Sequence, residues 1–344
     1  MLGSNGVLAL GVGIVDIAKK IDVSHTTVSR VLNNRSTGFV SDQTRQRVMA
    51  AAREMGYRPN LMARALRGAK TETIGLAVPG FFKHIDPVEL TAREAGYRMH
   101  MAAHHRNPKD FRRVLEDFLV HNVDGILIHS IVEGVGEILR EVAPDKPIVL
   151  CSEEPIEGFD CFIDLRYQGM RSAVRHLAGL GHTRIGLLVN HTAPQMRWRV
   201  SGYRDEMAAL DLPVTDDLLM DMPTDLPSAS RGYIGMKSAL SDWSEARPTA
   251  IVCTNDDVAV GALAAAAEAD MDVPGDLSVM GMMNLDVASF ARVPLTTVDW
   301  DVLDLTMKGL RRLIDRIHKP ALEPCVVADE PRIVERASVA PPKY

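Results

Sequence analysis

Ile14-Val15-Asp16-Ile17-Ala18-Lys19-Lys20-Ile21-Asp22-Val23-Ser24-His25-Thr26-Thr27-Val28-Ser29-Arg30-Val31-Leu32-Asn33 is the stretch on which the reading of this 344-residue chain turns. Its first eight residues are apolar at Ile14, Ile17, Ala18 and Ile21, the i, i+3, i+4, i+7 spacing of an amphipathic helix. Asp22-Val23 leaves room only for a turn. Ser24 is placed to cap a second helix, because its hydroxyl can accept a backbone N–H of the first turn. That helix turns Val28, Val31 and Leu32 inward. His25, Thr26, Thr27, Ser29 and Arg30 face outward.

Two readings fit a short helix, a tight turn and a second helix with a small polar outer face. One is a surface hairpin without a partner. The other is a helix-turn-helix unit, whose second helix enters the DNA major groove. Charge separates them. Residues 13–70 carry eleven Lys/Arg against four acids, a net of +7, whereas the whole chain is −6 and the remainder therefore −13. A basic head on an acidic body reads as a nucleic-acid-binding module, and its binding is expected to weaken steeply with salt.

A third helix is expected after Ser41, with Val48, Ala51, Ala52 and Met55 as its core stripe. Gly56 is placed to end it, since glycine enters the left-handed C′ conformation cheaply. Tyr57-Arg58-Pro59-Asn60 follows. The proline stops one helix, and Asn60 can cap another through Leu66. That last helix is too short to be stable alone in water, so it is expected to fold against DNA.

Together, Asp16-Ile17-Ala18, Thr27-Val28-Ser29-Arg30-Val31-Leu32-Asn33, Tyr57-Arg58-Pro59-Asn60 and Ala63-Arg64-Ala65-Leu66 resemble the LacI/GalR family of bacterial transcription regulators. The resemblance continues through Gly181-His182-Thr183-Arg184-Ile185, Asn255-Asp256, Ser278-Val279-Met280-Gly281 and Pro294-Leu295-Thr296-Thr297-Val298. It implies that His25, Thr26 and Arg30 read base edges. It places Ser24, Thr27, Ser29, Asn33, Ser41 and Thr44 at phosphate contacts. Asn60, Ala63 and Leu66 fall in the hinge motif. Leu66 matches the leucine that wedges into the minor groove and bends the duplex; packing against the body is the alternative. Two departures stand out. Asp22 occupies a turn position that is usually glycine, and the loop at 34–39 is longer than usual.

Residues 71–344 are long enough for a sizeable core, and for two. Apolar strand-like runs at 74–78, 98–103, 125–128, 146–150, 185–189, 250–253 and 277–281 alternate with helical stretches at 87–96, 110–121, 168–180, 198–210, 230–240 and 258–269. Strand–helix alternation implies parallel sheets with helices on both faces. The expected fold is thus a small all-α helix-turn-helix head plus an α/β body. By resemblance, the body has two doubly wound parallel-sheet lobes of periplasmic-binding-protein-like type. The expected organisation is a disordered extension over 1–12, the head over 13–58, a hinge over 59–70 and the body over 71–344. Within the body, lobe one takes 71–165 and 301–325, and lobe two takes 166–300 and 326–344.

Ligands in such sheets bind beyond the carboxyl ends of the strands. Ser152, Asp164, Asn255 and Asp256 lie at such ends or at lobe joints. Arg199 matches the family's ligand-contacting arginine, and a guanidinium fork suits vicinal hydroxyls, carboxylates or phosphates. Trp300 suits either sugar stacking or a buried anchor at the crossover. His104, His105 and His129 are weaker candidates of the same kind. Met283-Asn284 stands where the resemblance implies an acidic pair, Pro227 stands near a position of a stacking aromatic, and the segment 79–92 is short. The leading expectation is a sugar or sugar-derived effector, with a more apolar or anionic metabolite as the alternative.

There is no Walker P-loop, HExxH or GxSxG, so no catalysis and no cofactor or metal are expected. Four well-separated cysteines read as free thiols in a reducing cytoplasm. Residues 1–11 lack the basic start of a signal peptide, and no run reaches the roughly 20 apolar residues that span a bilayer. The expected partners are a pseudo-palindromic double-stranded operator, a small effector and a second copy of the chain. The tail lacks a leucine heptad, which argues against a tail-mediated tetramer. Two other readings remain: a solute-binding receptor, and a constitutive DNA-bending regulator with a silent cleft.

Overall fold

A computed structural model describes residues 12–32, 40–57, 70–80, 85–129, 132–243 and 247–343. The chain divides into two compact units, Met1–Thr71 and Glu72–Tyr344. Among the described residues no helix is long and apolar enough to cross a membrane. The expected extension over 1–12 falls, but for Val12, outside the described residues, as does the hinge up to residue 69.

The first unit packs α1 (Ile14–Ile21), α2 (His25–Leu32) and α3 (Asp42–Glu54) around Ile17, Ala18, Val28, Val31, Val48, Ala51 and Ala52. Asp22 closes α1 in the left-handed region, at φ 51° and ψ 60°. Asp tolerates this region better than most residues, so the absent glycine leaves the turn intact. Val23 N–H then donates to the Ala18 carbonyl at 3.1 Å. Gly56 (φ 62°) ends α3, with Tyr57 N–H donating to Ala52 O at 2.9 Å. Arg47 on α3 donates to Ile21 O at 2.7 Å, and Lys20 pairs with Glu54 at 2.7 Å. Both contacts tie α3 to the end of α1.

The second unit holds two six-stranded sheets. In lobe one these are β1 (Thr73–Val78), β2 (Arg98–Ala103), β3 (Gly125–His129), β4 (Ile148–Ser152), β5 (Asp160–Ile163) and β11 (Val326–Val327), in the order β11-β5-β4-β3-β1-β2. Lobe two uses β6 (Ile185–Leu188), β7 (Leu219–Met220), β8 (Ala250–Cys253), β9 (Ser278–Met282), β10 (Thr296–Asp299) and β12 (Arg332–Val334), in the order β12-β10-β9-β8-β6-β7. Every pairing is parallel except β10 with β12. β3, β4, β5, β6, β8, β9 and β10 are buried along their whole length, as strands sandwiched between helices must be.

The covering helices are α4 (Ile85–Glu94), α5 (Pro108–Val120), α6 (Val135–Val142), α7 (Arg166–Gly179), α8 (Arg197–Ala209), α9 (Ser228–Asp242), α10 (Asp256–Glu268), the short α11 (Asp286–Phe290) and α12 (Val302–His318). α12 packs on β3, β4 and β5 of lobe one. It is held there by Arg312 and Arg316, which both donate to the buried Asp160 carboxylate. Cys325 N–H donates to the same group at 2.9 Å, so the segment leading into β11 is fixed to lobe one. Val326 and Val327 pair with Cys161 and Phe162. The chain crosses for the third time between β11 and β12, a few residues beyond the joint expected near 325.

α9 and α10 meet backbone to backbone. A Cβ on Gly232 would lie 2.0 Å from Val258 O, and one on Gly261 would lie 1.9 Å from Ala229 O. Only glycine permits such an approach. Gly261→Ala should push the helices apart and lower body stability by about 1–3 kcal/mol. An unchanged urea midpoint would disprove the contact.

Candidate nucleic-acid interface and effector cleft

Packing sets the outward face of α2. Val28 and Val31 are buried against α1 and α3, leaving Ser24, His25, Thr26 and Arg30 exposed and Thr27 and Ser29 half-buried. Ser24 Oγ accepts Thr27 N–H at 3.1 Å, and the two hydroxyls lie 2.9 Å apart. Ser41 repeats the device on α3, accepting Thr44 N–H at 3.3 Å, again with hydroxyls 2.9 Å apart. Two hydroxyls sharing one hydrogen bond keep one O–H in reserve. Each pair therefore offers a donor at a helix N-terminus, where backbone N–H groups and the helix dipole favour anions. Asn33, Asn60, Ala63 and Leu66 lie outside the described residues.

In the body, the carboxyl ends of lobe-one strands bring charges together. Ser152 ends β4; its hydroxyl donates to Glu154 O at 2.7 Å, and its carbonyl accepts Asp164 N–H at 2.7 Å. Asp164 sits on the first crossing between lobes. Its Oδ2 lies 2.7 Å from Arg166 Nη2, and Arg166 Nη1 bonds Glu153. Arg106, beyond β2, lies 3.9 Å from Glu153. Arg199, in the first turn of α8, feels all four of these charges.

This cluster has three guanidinium groups and two carboxylates. Arg199 is only 6% exposed, and its Nε has no hydrogen-bond partner. Burial, reinforced by the neighbouring Arg166, brings its pKa down to about 9. Burial and Arg166 similarly bring Arg106 to about 10. Burial raises the Asp164 carboxyl, with Arg166 opposing, and its Oδ1 lacks a hydrogen-bond partner.

The remaining candidates sit elsewhere. Asn255 Oδ1 caps α10 through Val258 N–H at 2.8 Å. Trp300 is 4% exposed, with its ring against Gly169 and its Nε1 unpartnered; this places it as a buried anchor beside the second crossing. His104 is fully buried, with burial taking its pKa to about 4, and bonds the His129 carbonyl at 3.4 Å. His105 is exposed in the turn after β2. A cavity of about 680 Å³ opens at the carboxyl ends of β9 and β10, lined by Asp257, Met283, Asn284, Asp286, Asp301 and Arg332 among others.

Asp256 points away from that cavity. Its Oδ2 accepts Leu285 N–H and its Oδ1 the Thr297 hydroxyl, both at 2.6 Å. The carboxylate braces the loop after β9 against β10. Burial pushes its pKa up from 3.8 to about 6, against the pull of Thr297 and Leu285. The folded state therefore holds this proton to higher pH than the unfolded chain. Asp256's contribution falls as pH rises from 4 to 6, by about 3 kcal/mol in all. Asp256→Asn should remove that slope. Urea unfolding of both proteins across this window checks it; a pH-independent difference between them would contradict it.

Arg106, Glu153 and Arg166 were not singled out from sequence. The signal was a charged residue soon after an apolar strand, at β2, β4 and β5.

The comparisons agree with this architecture. Residues 13–60 match the family model described as bacterial regulatory proteins, lacI family, and residues 174–339 match a periplasmic binding protein-like domain. The HTH-type transcriptional regulator DegA of Bacillus subtilis (strain 168) is 32% identical over 95% of this chain and 98% of its own. The HTH-type transcriptional repressor PurR of Klebsiella pneumoniae (strain 342) is 32% identical over 95% and 96%. The fold is similar to that of the Lac repressor dimer bound to operator and the anti-inducer ONPF, with a TM-score of 0.82 at 24% identity over 96% of this chain and 99% of that one. These relatives are regulators rather than enzymes. With a three-helix head whose polar helix faces outward, and a body of two parallel-sheet lobes, the chain belongs to the LacI family of bacterial DNA-binding transcriptional regulators.

Proposed function

We propose that this chain is a cytoplasmic, homodimeric repressor that binds a pseudo-palindromic double-stranded operator and is released by a sugar-derived effector bearing a carboxylate or phosphate. The observation that carries the effector class is the Arg199 guanidinium, 6% exposed and without a hydrogen-bond acceptor at Nε, in a cluster with one more positive than negative charge. An anionic oxygen answers both the charge and the missing acceptor, and a charge-assisted bond to arginine is among the stronger polar contacts. A neutral hexose answers only the second. Dimerisation follows from the two-fold symmetry of paired half-sites, and the PurR and Lac repressor relatives support the repressor sense.

Ser24, Thr27, Ser29, Asn33, Ser41 and Thr44 are assigned to phosphates, His25, Thr26 and Arg30 to base edges, Leu66 to the minor groove, and Asn60 and Ala63 to the DNA-binding hinge beside it. Ser152, Asp164 and Arg199 form the effector grip, with Asn255, Asp256 and Trp300 shaping the lobe-two wall.

Thermal melting against sugar acids, sugar phosphates, neutral sugars and nucleosides tests the effector. A ligand at a hundred times its Kd adds about 2.7 kcal/mol. An acidic sugar should stabilise wild type and not Arg199→Ala, while operator affinity of effector-free Arg199→Ala stays unchanged. Stabilisation by neutral sugars alone would overturn the anionic class. No stabilisation by any compound would favour a silent cleft.

Arg30→Ala should weaken binding to a selected operator by about 1–3 kcal/mol and relax discrimination at one base pair. An equal loss on random DNA would make Arg30 a phosphate contact instead.

A further inference from the structure

We propose that His100, Asp117 and His121 form a surface binding site for a divalent transition metal, with Zn²⁺ as the best fit. One donor atom from each of the three lies within 4.8 Å of the other two, and among the described residues this is the only His/Cys/Asp/Glu group so arranged. His100 is the third residue of β2, the edge strand of lobe one, while Asp117 and His121 stand one turn apart at the end of α5. Two imidazoles and one carboxylate are a borderline-soft donor set that suits Zn²⁺ rather than Mg²⁺ or Ca²⁺.

The rings are held in place. His100 Nε2 lies 3.2 Å from Asp117 Oδ2, and its ring packs edge-on against Phe118, with centroids 5.2 Å apart. The His121 ring stands nearly perpendicular to that of His100, at 4.7 Å. His121 Nδ1 lies 2.9 Å from the Asp117 carbonyl oxygen. The same Nδ1 lies 3.3 Å from Asp117 Oδ1, so the ring is oriented from both the backbone and the side chain of Asp117, the kind of support that positions a ligating histidine. His121 is also the C-cap of the thirteen-residue α5, where unsatisfied carbonyls and the helix dipole favour a cation. Asp117 is half-buried and His121 exposed, so small side-chain rotations can close the gap to a Zn²⁺ coordination sphere. The fourth position stays open to water.

The site is separate from the effector cleft. α5 returns antiparallel to the strands and ends just before β3 begins. Its C-terminus therefore lies at the amino ends of the strands, whereas the cleft lies at their carboxyl ends.

The test uses full-length, tag-free protein stripped with chelator. Zn²⁺ is titrated in competition with a chromophoric chelator, and Co²⁺ is followed by its visible ligand-field bands. Wild type should take one ion per chain and gain melting temperature with it. His121→Ala and Asp117→Asn should each bind Zn²⁺ at least about tenfold more weakly, since a lost ligand should matter at least as much as a lost outer-shell partner. Both should melt like wild type without metal. A wild type that fails to compete for Zn²⁺, or variants that bind it as tightly as wild type, would overturn the proposal.

Discussion

Guanidinium groups buried where two lobes meet set the conditions under which the body works. Taking an ion out of water costs several kcal/mol unless well-placed partners answer it. Arg166 is answered on both sides, by Asp164 and Glu153. Arg199 has the same burial without an acceptor at Nε. Glu153 and Arg106 come from lobe one and Arg199 from lobe two, so an oxygen-bearing ligand bound here would bridge the two lobes. Its affinity would then depend on the lobe arrangement, and such a difference is the only means by which a ligand shifts an equilibrium. Asp164 and Arg166 sit on the first crossing itself, so their ion pair also braces the joint.

The head relies on a simpler economy of groups. α2 and α3 begin with the same serine–threonine pair four residues long, and each pair both caps its helix and retains a hydroxyl donor for an incoming anion. The cap of each helix thus leaves a polar hydrogen at the helix N-terminus. Its net charge of +7 stands against −13 for the rest of the chain. Phosphate attraction is accordingly confined to the head, and the acidic body discourages non-specific wrapping.

The head was legible in sequence because its core is local. The helical period, the Ser24 cap and the Gly56 stop all act within a few residues. The long strands of the body were legible for the same reason: β1, β2, β3 and β8 are uninterrupted apolar or alternating runs. β7, β11 and β12 are two or three residues long and carry no period of their own; partners distant in sequence define them. The few residues between the joint expected near 325 and the crossing are the direct consequence. α12 is different. Val302, Leu305, Leu310, Leu313 and Ile317 make a plain helical stripe, so its period is as local as that of the head. Strand ends pointed to Ser152 and Asp164 and the family resemblance to Arg199, but sequence could not show that Asp256 turns inward to brace a loop. That outcome depends on Gly281, where a Cβ would sit 2.1 Å from Asp256 Oδ1.

The pair Met283-Asn284 shows how this cleft differs from what the resemblance implies. Both residues take positive φ, at 94° and 46°, and an unbranched Met at such an angle is a strained conformation that the surrounding structure must hold. The holding contacts are visible. Asn284 accepts Arg336 Nη2 at 2.8 Å and donates to Asp299 Oδ2 at 3.1 Å, while Arg332 reaches the same Asp299 oxygen at 2.8 Å. A carboxylate at 284 would lose the donor and face Asp299 as a like charge. The amide is therefore part of a relay between two arginines, and an acidic pair there would break it. The exchange removes a carboxylate from the rim of the lobe-two sheet.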